Sequence, residues 1–249
     1  MTYSAREFAR VRNPVLLISA VTWILLIVGP GSTLAHCPAT SSRSFQMMLA
    51  MNPPSSLAVG WALMLAAMMP PVLIPHLCYI RMRSFKNRRA RSIVLFVAGY
   101  AAIWTALGGV LIAAAVTAML LVAPQSFLPM AGGVLIAALW QVSPVKQRCL
   151  NRCHGHAELA AFGAAADFDA LRFGALHGIW CAGSCWALML FPMLLPGGHV
   201  VAMASVAVLI FSERLEQPIP PCWRWRGLGK AKRILFAQAR IRSTTFSQA

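Results

Sequence analysis

Acidic side chains are scarce in this sequence. Six Asp and Glu stand against 22 Lys and Arg in 249 residues, and charged residues of both signs make up only 11%. Ordinary globular domains carry about 25% charged residues, so a fully water-facing surface is excluded. No span holds paired carboxylates, and none carries a mid-membrane carboxylate as a proton relay. Glu213 and Glu216 fall at a membrane exit among basic residues, where a solvated ion pair is expected. A Walker-type glycine loop, a His-Glu-x-x-His motif and a Cys-x-x-Cys pair are also missing. The seven cysteines are odd in number and lie mostly in apolar stretches or on the expected cytoplasmic side. That excludes a secreted disulfide framework and leaves packing, metal ligation or redox chemistry.

What fills the sequence is apolar: 59% of the residues are hydrophobic. A helix crossing about 30 Å of hydrocarbon needs roughly 20 mainly apolar residues. Six runs approach that length. They are Pro14 to Val28, Leu57 to about Tyr79 (interrupted by Pro70, Pro71 and Pro75), Ile93 to about Val122, Phe127 to Val142, Phe173 to Leu195, and the short Val200 to Phe211. The first has the basic start and apolar core of a signal peptide, with Thr33 to Ala35 as a passable cleavage pattern. A retained helix suits the charge pattern better. The expected fold is therefore all-α, a polytopic transmembrane helical bundle of about six spans. Residues 1–13 form a cytoplasmic segment, 14–213 the membrane domain and 214–249 a basic tail.

The net charge of +16 follows from topology rather than nucleic-acid binding. With the N-terminus in the cytoplasm, every Lys and Arg except Arg43 lies on the inner side, as the positive-inside rule requires. Flipping the chain or dropping one helix scatters these charges to both faces. The tail places Trp223, Trp225, Lys230, Lys232 and Arg233 beside a membrane exit, a composition suited to a lipid headgroup layer. A surface-lying helix is expected there. The expected partners are the lipid bilayer, a metal ion and a metal-receiving protein, with no nucleic acid.

In the fifth run, His177, Cys181, Cys185, Met189 and Met193 recur at intervals of four, so each touches the next on a helix. The row winds by about 40° per step, and no more than three consecutive members face one site. Thiolate, thioether and imidazole together select Cu(I) or a similar soft metal. Cys and Met are equally ordinary packing residues. The second run supplies partners. Trp61 to Leu65 repeats word for word as Trp186 to Leu190, and Met68 and Met193 follow each copy at the same distance. The repeated runs would cross the membrane in opposite directions, as in the 3+3 inverted repeats of transporters. Met64 and Met68 would lie roughly 10 and 16 Å below the outer surface, and Cys185 roughly 18 Å from the inner one. Met64, Met68, Cys181 and Cys185 are the expected intramembrane donors, with His177 leading toward the cytoplasm. Pro70 and Pro71 should break the second run beside Met69.

A second group stands after the fourth run: Cys149, Cys153, His154 and His156. It offers enough donors for a tetrahedral zinc site, and His76 and Cys78 end the second run on the same side. His36, Cys37, Met47, Met48 and Met51 are outer-face donors of weaker claim.

At Trp61 to Pro70, Gly99-Tyr100, Gln141 to Leu150 and His177 to Leu190, the chain resembles the bacterial predicted metal-binding integral membrane proteins catalogued as domain of unknown function 2182. The resemblance runs from Leu57 to Glu213. Its most specific segments are Trp-x-x-Met-x-x-x-Met-Met before Pro70, Pro144-x-Lys146-x-x-Cys149-Leu150, and His177-Gly178-x-x-Cys181-x-Gly183-x-Cys185-Trp186. It implies a multi-pass bacterial inner-membrane protein with a metal site at Met64, Met68, Met69, Cys149, Cys153, His177, Cys181 and Cys185. The chain departs from the pattern at Ser184, where relatives commonly carry a further cysteine, and at Trp140, where tyrosine is usual.

The leading expectation is a membrane protein that binds Cu(I) for transport or delivery. One rival is a membrane thiol-disulfide oxidoreductase using Cys181 and Cys185. Another is a non-catalytic assembly or scaffold subunit whose sulfur residues only pack. A haem role for His177 or His76 lacks a paired-histidine geometry in the sequence.

Overall fold

The structure, a computed structural model, describes residues 5–28, 54–122, 126–195, 198–225 and 229. The described residues form eight helices and no strands: α1 (Ala5–Val28), α2 (Pro54–Met68), α3 (Pro70–Arg83), α4 (Arg89–Leu121), α5 (Leu128–Val142), α6 (Pro144–Arg152), α7 (Gly163–Met193) and α8 (His199–Arg214). Three helices, α1, α4 and α7, are each long and apolar enough to cross a membrane, and five candidates result if each bent pair counts as one. The pairs are α2 with α3, bent by 64°, and α5 with α6, bent by 66°.

Both bends have local causes. Pro70 and Pro71 lack the amide hydrogens that would continue α2, and Met69 takes the joint. At the second, Ser143 leaves the helical conformation and its hydroxyl accepts from the Val145 amide at 3.1 Å, capping α6 with Pro144 in the first turn. The expected loop from Lys146 is thus helical as far as Arg152. The fifth expected run begins at Gly163 instead of Phe173. Apolar length alone underestimates α7, whose first turns carry Asp167, Asp169 and Arg172. α8 remains a short helix of 16 residues.

The core of the molecule is α4 against α7. These helices measure about 50 and 46 Å by their residue counts of 33 and 31, and they pack along much of their length. A Cβ added at Gly99 would meet the Leu171 carbonyl oxygen, and one at Gly174 would meet that of Phe96. The two backbones approach too closely there for any larger residue, as small residues permit between helices in lipid. α1 packs on α2 and α3, while α2 and α8 touch only briefly. Among the described residues the contact between α2 and α8 is thus far smaller than that between α4 and α7, and the repeated segments at Trp61 and Trp186 both lie on helices.

Ion pairs and hydrogen bonds gather six helix ends at one end of the bundle. Glu7 on α1 pairs with Arg81 on α3 at 3.1 Å. Arg88 beside α4 and Arg91 on α4 pair with Asp167 on α7 at 2.6 and 2.7 Å. Lys146 on α6 pairs with Glu213 on α8 at 2.8 Å. Basic residues thus collect at this end. Leu17, Ile24, Val110, Leu139, Val201 and Val208 turn outward and are exposed.

Candidate metal centre

The fifth-run ladder is real and faces inward. His177, Cys181, Cys185, Met189 and Met193 all lie on α7 and are all buried. Met64, Met68 and Met69 join the same buried core. A spiral of donors can be buried throughout because α7 is enclosed on several sides, by α4, α5, α6 and α8.

Across from His177 stands His76, which sequence reasoning placed only at the periphery. Their ring centroids are 3.9 Å apart, with the planes tilted by 43°. Both side chains are nearly inaccessible, at 5% and 3% exposure. His76 Nε2 lies 3.0 Å from the Cys153 carbonyl oxygen. A carbonyl only accepts, so Nε2 carries the proton and Nδ1 keeps its lone pair. Among the described residues, His76 Nδ1 and His177 Nε2 are buried with no hydrogen-bond partner. A buried polar atom left without a partner costs stability unless something occupies it. A ring nitrogen held by a backbone carbonyl, with its second nitrogen bare, is the arrangement in which histidine binds metal. The centroid spacing leaves no room for a porphyrin between the rings, which removes the haem geometry.

One turn along α7, Cys181 receives the Tyr100 hydroxyl at 3.3 Å, either atom being able to donate. The Cys185 thiol donates to the Cys181 carbonyl at 3.0 Å. Ser184 donates to that same carbonyl at 2.7 Å and accepts from the Arg214 guanidinium at 3.2 Å. Arg214 also stands beside the thiols of Cys153 and Cys181. The serine that replaces the cysteine of the resembled pattern therefore links α7 to α8 through a cation. Both Cys181 and Cys185 are buried, at 0% and 1% exposure, whereas thiols that exchange disulfides sit in partly exposed positions.

The second expected cluster comes apart. Cys149 and Cys153 stand four residues apart at the end of α6 and both turn inward. Cys149 abuts Gly183 of α7, where an added Cβ would come within 2.7 Å of its sulfur. His154 is half-buried just beyond the helix. His156 stacks on His76 at 5.4 Å and lies tilted against Tyr79 at 4.5 Å. The resulting desolvation lowers its pKa below the usual imidazole value. Among the described residues, no group of three or more His, Cys, Asp or Glu side chains is arranged to hold a metal ion. The tetrahedral zinc site is thus unsupported, because the helix ends between its donors and sends them in different directions.

Glu213 also differs from expectation. It is buried against Lys146 and Gln141, with Lys146 Nζ 2.5 Å from the Gln141 side-chain oxygen and Gln141 donating to Glu213. His36, Cys37, Met47, Met48 and Met51, and the tail residues Lys230, Lys232 and Arg233, lie outside the described residues. Trp223 and Trp225 are exposed.

Comparison with known proteins decides the family. The family model described as PpoB2, copper chaperone, matches residues 57–231. The chain belongs to the PpoB2 copper-chaperone family. The matched region runs from α2 through α8 and so contains the histidine pair, both α7 thiols and the α6 cysteines; α1 precedes it. PpoB2 membership favours copper among the soft metals that these donors accept. No curated protein and no solved structure matches the chain.

Proposed function

We propose that this PpoB2-family chain is a bacterial inner-membrane protein that binds Cu(I) within its helical bundle and delivers it to a receiving protein. The carrying observation is the His76–His177 pair, two buried rings whose bare nitrogens have no protein partner. Copper is the cargo. Cu(I) accepts as few as two donors, so the histidine pair meets its needs without a preassembled cage; Cys181, one turn away, is a third donor that joins only on loading, because no three such side chains converge among the described residues. Soft thiolate and imidazole donors distinguish it from Mg and Ca. Met68, Met69 and Met189 line the core beyond and keep the interior apolar but sulfur-rich. Cys149, Cys153 and His154 do not converge on one point and so serve only as single donors toward the basic end.

In this reading α1, the α2–α3 pair, α4, the α5–α6 pair, α7 and α8 are six crossings, and the basic end faces the cytoplasm with both termini. The gathering of Arg81, Arg88, Arg91 and Lys146 at one end supports that orientation.

The test is the copper content of the detergent-purified full chain after Cu(I) loading and chelator washing. Wild type should retain copper with nitrogen and sulfur neighbours in its X-ray absorption spectrum. His76→Ala combined with His177→Ala should lose the nitrogen-bound ion. Copper retained at wild-type stoichiometry, with unchanged nitrogen scattering, would overturn the assignment.

A further inference from the structure

At the opposite end of α7 lies a second set of soft donors. A cavity of about 50 Å³ is lined by Met64 of α2, Met193 of α7, and Met203 and His199 of α8, together with Trp61 and Ile112. A cavity needs only about 10–15 Å³ on a comparable measure to admit one water molecule, so an ion fits. Met64, Met193 and Met203 are buried. They meet from three helices, the consecutive α7 and α8 and the sequence-distant α2.

His199 supplies the observation that separates a binding site from an apolar gap. Its Nδ1 lies 2.7 Å from the Pro192 carbonyl oxygen. A carbonyl accepts only, so Nδ1 holds the proton and Nε2 keeps the lone pair. Among the described residues, Nε2 is buried and has no hydrogen-bond partner. This repeats the arrangement of His76: one nitrogen fixed by a backbone carbonyl, the other bare. The turn before α8 sets the ring in place. Gly198 adopts a left-handed φ of 74°, which glycine takes without strain, and α8 starts at His199 directly above the end of α7.

We propose that Met64, Met193, Met203 and His199 form a second Cu(I) site, built of thioethers and one imidazole, at the end of the bundle remote from the basic cluster. Thioether sulfur is a soft, uncharged donor that suits Cu(I), and an uncharged donor set is the cheaper kind to bury near hydrocarbon. Met193 and His177 are sixteen positions apart on α7, about 24 Å along the axis, so the two sites are separate. Met189, Cys185 and Cys181 stand between them on the same buried helix. The site is an entry point for the ion that the histidine pair later holds, and that order rests on the functional reading above. The site itself does not.

Silver, a redox-inert stand-in for Cu(I), tests it on the full chain in detergent. Wild type should bind two ions per chain. Met193→Leu with Met203→Leu, which keeps side-chain volume, should bind one and lose the thioether scattering. His199→Gln should weaken that same ion at least tenfold while leaving the other. His76→Ala with His177→Ala should remove only the nitrogen-rich ion. Two ions retained by the Met-to-Leu variant, with unchanged sulfur scattering, would overturn the proposal. One thioether-bound ion in wild type and in the double-His variant would sink the histidine-pair reading and leave this site standing.

Discussion

The Tyr100 hydroxyl lies 3.3 Å from the Cys181 sulfur, linking α4 to α7 at the level of the thiols. It restricts the sulfur to one position beside the His177 turn. Tyr100→Phe removes a single hydrogen bond, worth about 1 kcal/mol. Cu(I) affinity should drop roughly three- to tenfold, which is that energy expressed as a ratio. Stoichiometry should stay at the wild-type value. Chelator competition measures the first and elemental analysis the second. An affinity equal to wild type would detach Tyr100 from the site.

Acid should release the copper held by the histidine pair and Cys181. A thiol binds metal only after losing its proton, whereas the bare imidazole nitrogens are ready as they stand. Protons therefore compete with the ion, and affinity falls as pH falls, by up to about tenfold per pH unit for each proton displaced. Chelator competition between pH 8 and pH 5 should show retention declining steadily toward the acid side. A flat profile would exclude the Cys181 thiolate as a ligand and leave the histidine pair, whose buried nitrogens are already bare.

Lys146 and Glu213 are both almost wholly inaccessible, at 0% and 3%, and 2.8 Å apart. Removing one partner leaves a buried charge unmatched, at a cost of about 3–5 kcal/mol. Lys146→Met should accordingly lower the thermal transition of the detergent-solubilised protein sharply. Lys146→Met combined with Glu213→Leu should recover most of the loss, because a buried pair and its apolar replacement often come out close in stability. A scan by intrinsic fluorescence or aggregation onset resolves the difference. If the double variant is no better than the single one, the pair has a role beyond charge matching.

The glycines of the bundle should not respond alike. At Gly174 an added methyl group would strike the Phe96 backbone, whereas at Gly132 it meets nothing within 4 Å. Gly174→Ala should destabilise the α4–α7 packing and displace the His177 turn, with copper lost as a result. Gly132→Ala should be neutral or stabilising by up to about 1 kcal/mol, the helix-propensity gain. Equal thermal shifts in the two variants would refute the close backbone approach.

Much of this architecture is legible before any coordinates. Length and apolarity locate α4 and most of α7, and the proline pair at Pro70 predicts the bend after Met68. The i,i+4 row from His177 to Met193 is legible as one helical path, and its burial along the whole length goes beyond the three members expected to share a site. What escapes is pairing across helices. His76 closes on His177 only because α3 leaves its joint at an angle of 64° to α2, and no sequence spacing encodes that angle. The available signal was that His76 and His177 are both single histidines in apolar helices. Glu213 is misread for a related reason: its burial depends on Lys146, and α6 brings that residue inward only because Ser143 breaks the helix above it. His199 carries no spacing signal at all, and its role depends on the Pro192 carbonyl across a turn.

Because Gly99 and Gly174 bring two backbones into direct contact, α4 and α7 form a single stiff spine. Sliding one along the other would drive peptide groups into each other. Handing an ion onward therefore requires movement elsewhere, and the two bent joints at Met69 and Ser143 are the places where it can occur. A rocking of α3 about the first would carry His76 away from His177 and open the grip, while the spine and its thiols stayed still.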